Sequence, residues 1–240
     1  MKEIITVKNI SKKFNKLKVL DNVSFSVYEG QVIGLIGFNG AGKSTLISTI
    51  LGLIKPDKGS TRIFNKENGS RESLNNVGVM LQNVTMPENI KVWEWLKMVQ
   101  IYCDNAYSID EVLKIADLED DKNSLASKLS GGKQRRLQFA LSIIGKPKIL
   151  FLDEPTVGMD FQSKRKFWDY IDVLIKKGTT IILTSHDLNE VEEFAERIII
   201  IDKGRILMDK PMEKLKVENA YSTIKINKKD INLDIIDSNI

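Results

Sequence analysis

Two stretches of this sequence pair glycines with the start of a helix, and both have the chemistry to hold an anion. The first is Gly37-Phe38-Asn39-Gly40-Ala41-Gly42-Lys43-Ser44-Thr45, which fits the pattern G-x-x-x-x-G-K-[ST]. Glycines let successive backbone N–H groups turn inward around phosphate oxygens. The helix that follows adds the partial positive charge of its N-terminus. Lys43 reaches the outer phosphates, and the Ser44 hydroxyl suits a magnesium ion. Gly37, Asn39, Gly40, Ala41, Gly42, Lys43, Ser44 and Thr45 therefore form a candidate polyphosphate cradle. The second stretch is Ser130-Gly131-Gly132, some ninety residues later. Taken alone, it is as well explained by an ordinary helix cap.

Other residues suited to phosphate chemistry end apolar runs. Lys148-Ile149-Leu150-Phe151-Leu152-Asp153 reads as a buried strand with a carboxylate at its end, and Glu154 follows. Magnesium keeps several waters and prefers hard oxygens, so Asp153 suits the ion, held through a water. Glu154 suits the polarisation of an attacking water. Phosphoryl transfer depends mainly on positioning and charge stabilisation, and these parts supply both. His186, the single histidine, follows the strand-like Thr180–Thr184. It is expected at the same sheet edge, donating a hydrogen bond to a terminal phosphate.

These residues need a scaffold that gathers strand ends. Gln31–Ile36 is a short apolar run, read as a buried strand leading into the cradle, and Leu46, Ile50 and Leu53 mark the helix after it. Ile4–Val7 and Val23–Val27 read as strands, and residues 57–82 as short strands and turns. From about 87 to 128 the spacing turns helical, in WEWLKMVQIY and SIDEVLKIADL. After Gly132, Leu137, Leu141 and Ile144 recur at helical intervals. Phe167, Ile171, Leu174 and Ile175 mark another helix, capped by Gly178; Leu188, Val191 and Phe194 mark one more, and Arg197–Asp202 is a further strand. Strands alternating with helices predict a mainly parallel sheet covered on both faces, with ligands beyond the carboxyl ends of its strands.

Composition bounds the class. A chain of 240 residues suits one large domain, or a core with a smaller lobe. The single cysteine, Cys103, cannot close an internal disulfide, which points to a reducing compartment. The net charge of +4 argues for neither nucleic acid nor an anionic membrane. The N-terminus lacks the apolar block of a secretory signal, and no run approaches the length of a membrane span. A membrane role would therefore need spans from another chain.

GFNGAGKST, LQN, LSGGK, ILFLDEPTVGMD and TSH stand in one order over residues 3–210. In this the chain resembles the nucleotide-binding subunits of ATP-binding-cassette (ABC) transporters. The resemblance implies an α/β fold: a P-loop NTPase core with a mainly parallel sheet, an N-terminal antiparallel β subdomain and an inserted α-helical subdomain. It implies an ATPase domain over 1–215 with the helical part at about 83–145, and leaves 216–240 as a tail or the start of a longer extension. It implies ATP and Mg2+, with Ser44, Gln82 and Asp153 around the metal and Glu154, His186, Lys43 and Gln82 in catalysis. Phe14 resembles the aromatic that stacks on adenine, although tyrosine is more usual there.

The resemblance also gives the second anion site a purpose. Ser130, Gly131 and Gly132 would bind the γ-phosphate of ATP held by another cassette, and Asp160 would act at that partner. The partners implied are a homodimer or heterodimer with another ABC ATPase subunit, and integral membrane subunits whose cargo is exported. The location implied is the cytoplasmic face of the membrane. Pro87–Trp95, with Trp93 and Trp95, is a candidate docking surface, although both tryptophans also suit a lobe core. Lys133 departs from the family's usual glutamine; with Arg135 and Arg136 it puts positive charge near a helix N-terminus, to be offset by bound ATP or acidic neighbours, or else belongs to a solvated basic face. Two rivals are a soluble cassette acting on nucleic acid or ribosomes and a non-hydrolysing regulatory module. The first lacks a basic stripe, and intact Asp153, Glu154 and His186 oppose the second.

Overall fold

The computed structural model describes residues 2–82, 84–185 and 188–219. The histidine expected at the sheet edge, His186, and residues 220–240 of the expected tail lie outside the described residues.

The chain opens with two long strands, β1 (Glu3–Phe14) and β2 (Leu17–Tyr28), then β3 (Val32–Ile36) and helix α1 (Lys43–Ile50). Next come β4 (Lys58–Ile63), β5 (Lys66–Glu67), the single turn α2 (Arg71–Leu74) and β6 (Val77–Met80). Three helices, α3 (Val92–Gln100), α4 (Ile109–Ala116) and α5 (Gly131–Ile143), stand between β6 and β7 (Ile149–Asp153), where the helical insert was expected. The chain then runs through α6 (Phe161–Lys176), β8 (Thr180–Ser185), α7 (Leu188–Phe194), β9 (Arg197–Asp202), β10 (Arg205–Pro211) and α8 (Met212–Asn219).

Two sheets result. The larger has the order β10-β9-β3-β8-β7-β6, with every pair parallel except β9 with β10. The smaller, β2-β1-β4-β5, is antiparallel. The period of two explains how one large sheet serves two cores. Ile149 and Phe151 of β7 face the core shared with α1 and the antiparallel sheet, while Leu150 and Leu152 face the core shared with α5 and α6. In β8, Ile182 faces the first core, and Ile181 and Leu183 the second. Burial on both faces is why these strands read as continuous apolar runs. Each such side chain contributes about 1.5–3 kcal/mol on burial.

Three details differ from the sequence reading. Leu53 lies past the end of α1 and is exposed, because the helix closes at Ile50 and Gly52 turns with φ +76°. The strand β10 was not foreseen; its alternate exposed and half-buried residues mark an edge strand. The first strand runs well past Val7, through an irregularity with positive φ at Asn9, matched by one at Asn22 of β2, since asparagine tolerates the left-handed region.

Candidate active site

Register gathers the chemistry. Ile36 pairs with Ser185, Asp153 with Thr184, and Met80 with Leu152. The carboxyl ends of β3, β8, β7 and β6 therefore lie side by side. Just beyond the ends of β3, β7 and β6 stand Gly37, Glu154 and Gln82.

The cradle is shaped by sterics. A Cβ at Gly37 would lie 2.3 Å from the Ile201 carbonyl oxygen, and one at Gly42 would lie 2.8 Å from that of Val19. Gly42 also holds φ +109°, a region that side chains disfavour. Ala41 N–H bonds the Phe38 carbonyl at 3.0 Å, and Leu46 N–H bonds that of Gly42 at 2.8 Å, which starts α1. Ser44 and Asn39 are exposed, and Thr45 is half-buried. Lys43 is buried, and its Nζ donates to the carbonyls of Gly37 (2.5 Å) and Phe38 (3.3 Å), so the ammonium sits over the loop.

Asp153 and Glu154 are braced from β8. Thr184 Oγ1 donates to Asp153 Oδ1 at 2.6 Å and accepts the Glu154 N–H at 2.9 Å. Glu154 holds φ +47°, where non-glycine residues are rare and often functional. Gln82 Nε2 donates to Glu154 Oε2 at 2.9 Å. That contact leaves the Gln82 amide oxygen for another partner. No group of three or more His, Cys, Asp or Glu side chains among the described residues is arranged to hold a metal alone. A hydroxyl, an amide oxygen and one carboxylate instead suit magnesium, which takes few protein ligands beside phosphates and waters.

Phe14 ends β1 beside the tight turn at Asn15 (φ +53°) and is half-exposed, with Lys12 Nζ 5.4 Å from its ring centre. The strand it turns into carries Val19, whose carbonyl oxygen faces Gly42. Ser130 caps α5 and Asp160 caps α6. Asp160 accepts the Ser163 N–H (2.9 Å) and hydroxyl (2.7 Å), and the backbone N–H holds its carboxyl below the usual aspartate range. Ser130 and Gly131 are exposed, and a Cβ on Gly131 would meet nothing within 4 Å. One on Gly132 would be 3.5 Å from the carbonyl oxygen of Gly158, so this helix start lies beside the loop that leads to Asp160.

Of the two readings of Lys133, Arg135 and Arg136, the structure favours acidic neighbours over a solvated basic face. Lys133 pairs with Asp121 at 2.8 Å, and Arg136 pairs with Asp117, which also holds Lys166 at 2.8 Å. These cations, Lys166 foremost, keep the Asp117 carboxyl below its ordinary range. Arg135 is buried, turned inward toward Gln138. Acids at the end of α4 and just after it therefore balance the charge near the start of α5.

Two residues with site roles were missed in the sequence, Thr184 and Arg135. Thr184 was legible only as part of a strand. Arg135 carries a faint signal, since Arg135, Gln138 and Ser142 form a polar stripe at helical spacing on a buried face. Of the tryptophans, Trp95 packs partly against the core and lines a groove of about 470 Å³ with Val84, Val99 and Tyr102. Trp93 is half-buried, and exposed apolar surface lies instead at Met98, Ile101 and Tyr102.

Residues 20–157 match the family model for the ABC transporter. The chain is 33% identical over 231 residues to daunorubicin resistance ATP-binding protein DrrA3 of Streptomyces coeruleorubidus, covering 92% of this chain and 72% of that protein. It is 33% identical over 236 residues to Nod factor export ATP-binding protein I of Ralstonia nicotianae, covering 95% and 74%. ABC transporter G family member 23 of Dictyostelium discoideum is also 33% identical, but this chain spans only 36% of its length. Among solved structures, the ATP-binding cassette MJ0796 in a dimeric post-hydrolysis state bound to ADP and Pi matches with TM-score 0.80 and 26% identity, over 87% of this chain and 99% of that one. The chain belongs to the ABC transporter family, as an ATP-binding and ATP-hydrolysing cassette.

Proposed function

We propose that two cassettes clamp two ATP molecules between them, each nucleotide held by the cradle of one chain and by Ser130–Gly132 of the other, and that hydrolysis reopens the pair to drive export. The observation that carries this reading is the opposite character of the two glycine-bearing helix starts. Gly37 and Gly42 are packed against the backbone of Ile201 and Val19, whereas Ser130 and Gly131 lie open on the surface. The dimeric state of the MJ0796 cassette supports it.

Phe14 stacks on the base, and the backbone N–H groups of the cradle orient the phosphates with Lys43 balancing their charge. Asn39, Ala41 and Thr45 complete the loop around them. Ser44, Gln82 and Asp153 are the oxygen donors for a magnesium ion, which when bound neutralises charge on the outer phosphates. Glu154 takes the proton of a water whose oxygen attacks the γ-phosphorus, and the bond to the bridging oxygen breaks with its electron pair leaving on ADP. His186 donates to the γ-phosphate, and Asp160 acts at the opposite chain. ATP drives closure only through its better contacts in the closed pair. The helical unit at about 83–145 passes this motion to membrane subunits, with the chain peripheral on their cytoplasmic face. The groove beside Trp95, rather than Trp93 itself, is the surface for them. No helix among the described residues is long and apolar enough to cross a membrane. The relatives named for drug resistance and Nod factor export make an exported cargo the reading of choice.

Glu154→Gln tests the hydrolytic step. Steady-state turnover falls by about 10²–10⁴-fold, the range for losing a general base, while ATP binding persists and closed dimers accumulate on size-exclusion chromatography. Normal turnover in that variant removes Glu154 from this role.

A further inference from the structure

The guanidinium of Arg135 joins two segments that carry the site and no other side chain on α5 does so in the same way. Its Nη1 donates to the carbonyls of Leu81 (2.9 Å) and Gln82 (3.1 Å), beyond β6. Its Nη2 donates to the carbonyls of Asp153 (3.1 Å) and Glu154, at the end of β7. Gln138 Oε1 accepts a further bond at 2.5 Å and fixes the fork from the same helix. An arginine presents five donors in one plane, whereas a lysine ammonium is a point charge that cannot span both segments. Burial lowers its pKa, yet arginine starts so high that it stays charged.

We propose that Arg135 is a positioning residue, which holds the backbone of Gln82 and Glu154 in their working geometry and ties it to the helix that begins at Ser130. The inference rests on the hydrolytic reading above. Glu154 needs such support. Its left-handed backbone is bonded at the N–H by Thr184 and at the carbonyl by Arg135, so its peptide is held from both sides. Arg135 lies five residues, less than two turns, from Ser130. A shift of α5 when Ser130–Gly132 engages a neighbour's phosphate is therefore transmitted to these four carbonyls. One chain's carboxylate and amide are aligned by the nucleotide of the other.

The test measures steady-state ATPase kinetics, ATP binding and thermal melting for the wild type, Arg135→Met, Arg135→Lys and Glu154→Gln. Arg135→Met is expected to lower kcat by about 10- to 100-fold, the scale for misplacing a reacting group by an ångström, with ATP affinity within twofold of wild type. Arg135→Lys keeps the charge and part of the contacts and restores kcat partway. Should Arg135→Met not fold, Gln138→Leu reads the same split, because it leaves Arg135 in place but unfixed. A folded variant with unchanged kcat overturns the proposal, and so does a parallel fall of kcat and ATP affinity in all variants. A wild type without ATPase activity would instead overturn the hydrolytic reading.

Discussion

The two glycine-bearing helix starts make an instructive pair. At the start of α1 the glycines answer to the fold: a side chain at Gly37 or Gly42 would strike the backbone of a neighbouring strand, and Gly42 adopts a left-handed conformation. At the start of α5, Gly131 has space around it and Ser130 already makes an adequate cap. Alanine would suit the first turn of that helix better than glycine. Glycine in the first case is explained from within the chain. In the second, Gly131 meets no such contact, and under the proposed two-chain clamp its reason is a ligand that approaches the backbone closely. A fold constraint and a recognition constraint can thus look identical in sequence.

The sharpest way to break this comparison is to add one methyl at each place. Gly131→Ala should leave the melting temperature equal or higher and ATP binding intact, yet lower turnover by about 10²-fold, as for the loss of one donor to a reacting phosphate. Gly42→Ala should do the reverse in kind, destabilising the fold by about 1–3 kcal/mol through crowding and strain and weakening ATP binding directly. Calorimetry with nucleotide titration separates them, and full turnover in Gly131→Ala would end the two-chain reading.

A smaller effect is expected at the wall between the cradle and the carboxylates. Thr184→Val removes the donor to Asp153 and one acceptor of the Glu154 N–H. Leaving buried polar groups without a partner costs about 1–3 kcal/mol. Melting should fall accordingly, and kcat about tenfold as Glu154 loses its brace. Unchanged kcat at lowered stability would make Thr184 structural only.

The smallest effect separates the two tasks of Asp160. Asparagine also caps helices well, so Asp160→Asn should keep the melting temperature while slowing hydrolysis, whereas Asp160→Ala should lower both. Because the folded carboxyl lies below its ordinary value, its contribution is complete above about pH 3.9 and fades as pH falls through the lowered folded value. The melting difference between wild type and Asp160→Ala should therefore be constant at neutral pH and shrink below about pH 3.9. A difference that grew on acidification would contradict the cap.

Much of this was legible in the chain alone. Strands β3, β7, β8 and β9 are buried on both faces, so their unbroken apolar runs announced them, and Asp153, ending the β7 run, stands at the edge of the candidate site. The edge strand β10 and the irregular β1 carried no such run, because half of their residues face water. The motifs named the chemistry since phosphate binding needs particular atoms at fixed spacing. Arg135 could not be placed from the sequence because charge in a sequence carries no direction: the neighbours Lys133 and Arg136 go outward to Asp121 and Asp117, while Arg135 goes inward to backbone carbonyls. Thr184 was silent for a related reason, since its hydroxyl has meaning only once Asp153 is brought opposite it in parallel register. What the sequence determined by itself was the inventory of groups, set by local spacing and apolar period. The tertiary structure alone decided which of them brace one another, because hydrogen bonds between residues far apart in the chain exist only where packing brings the strands and helices together.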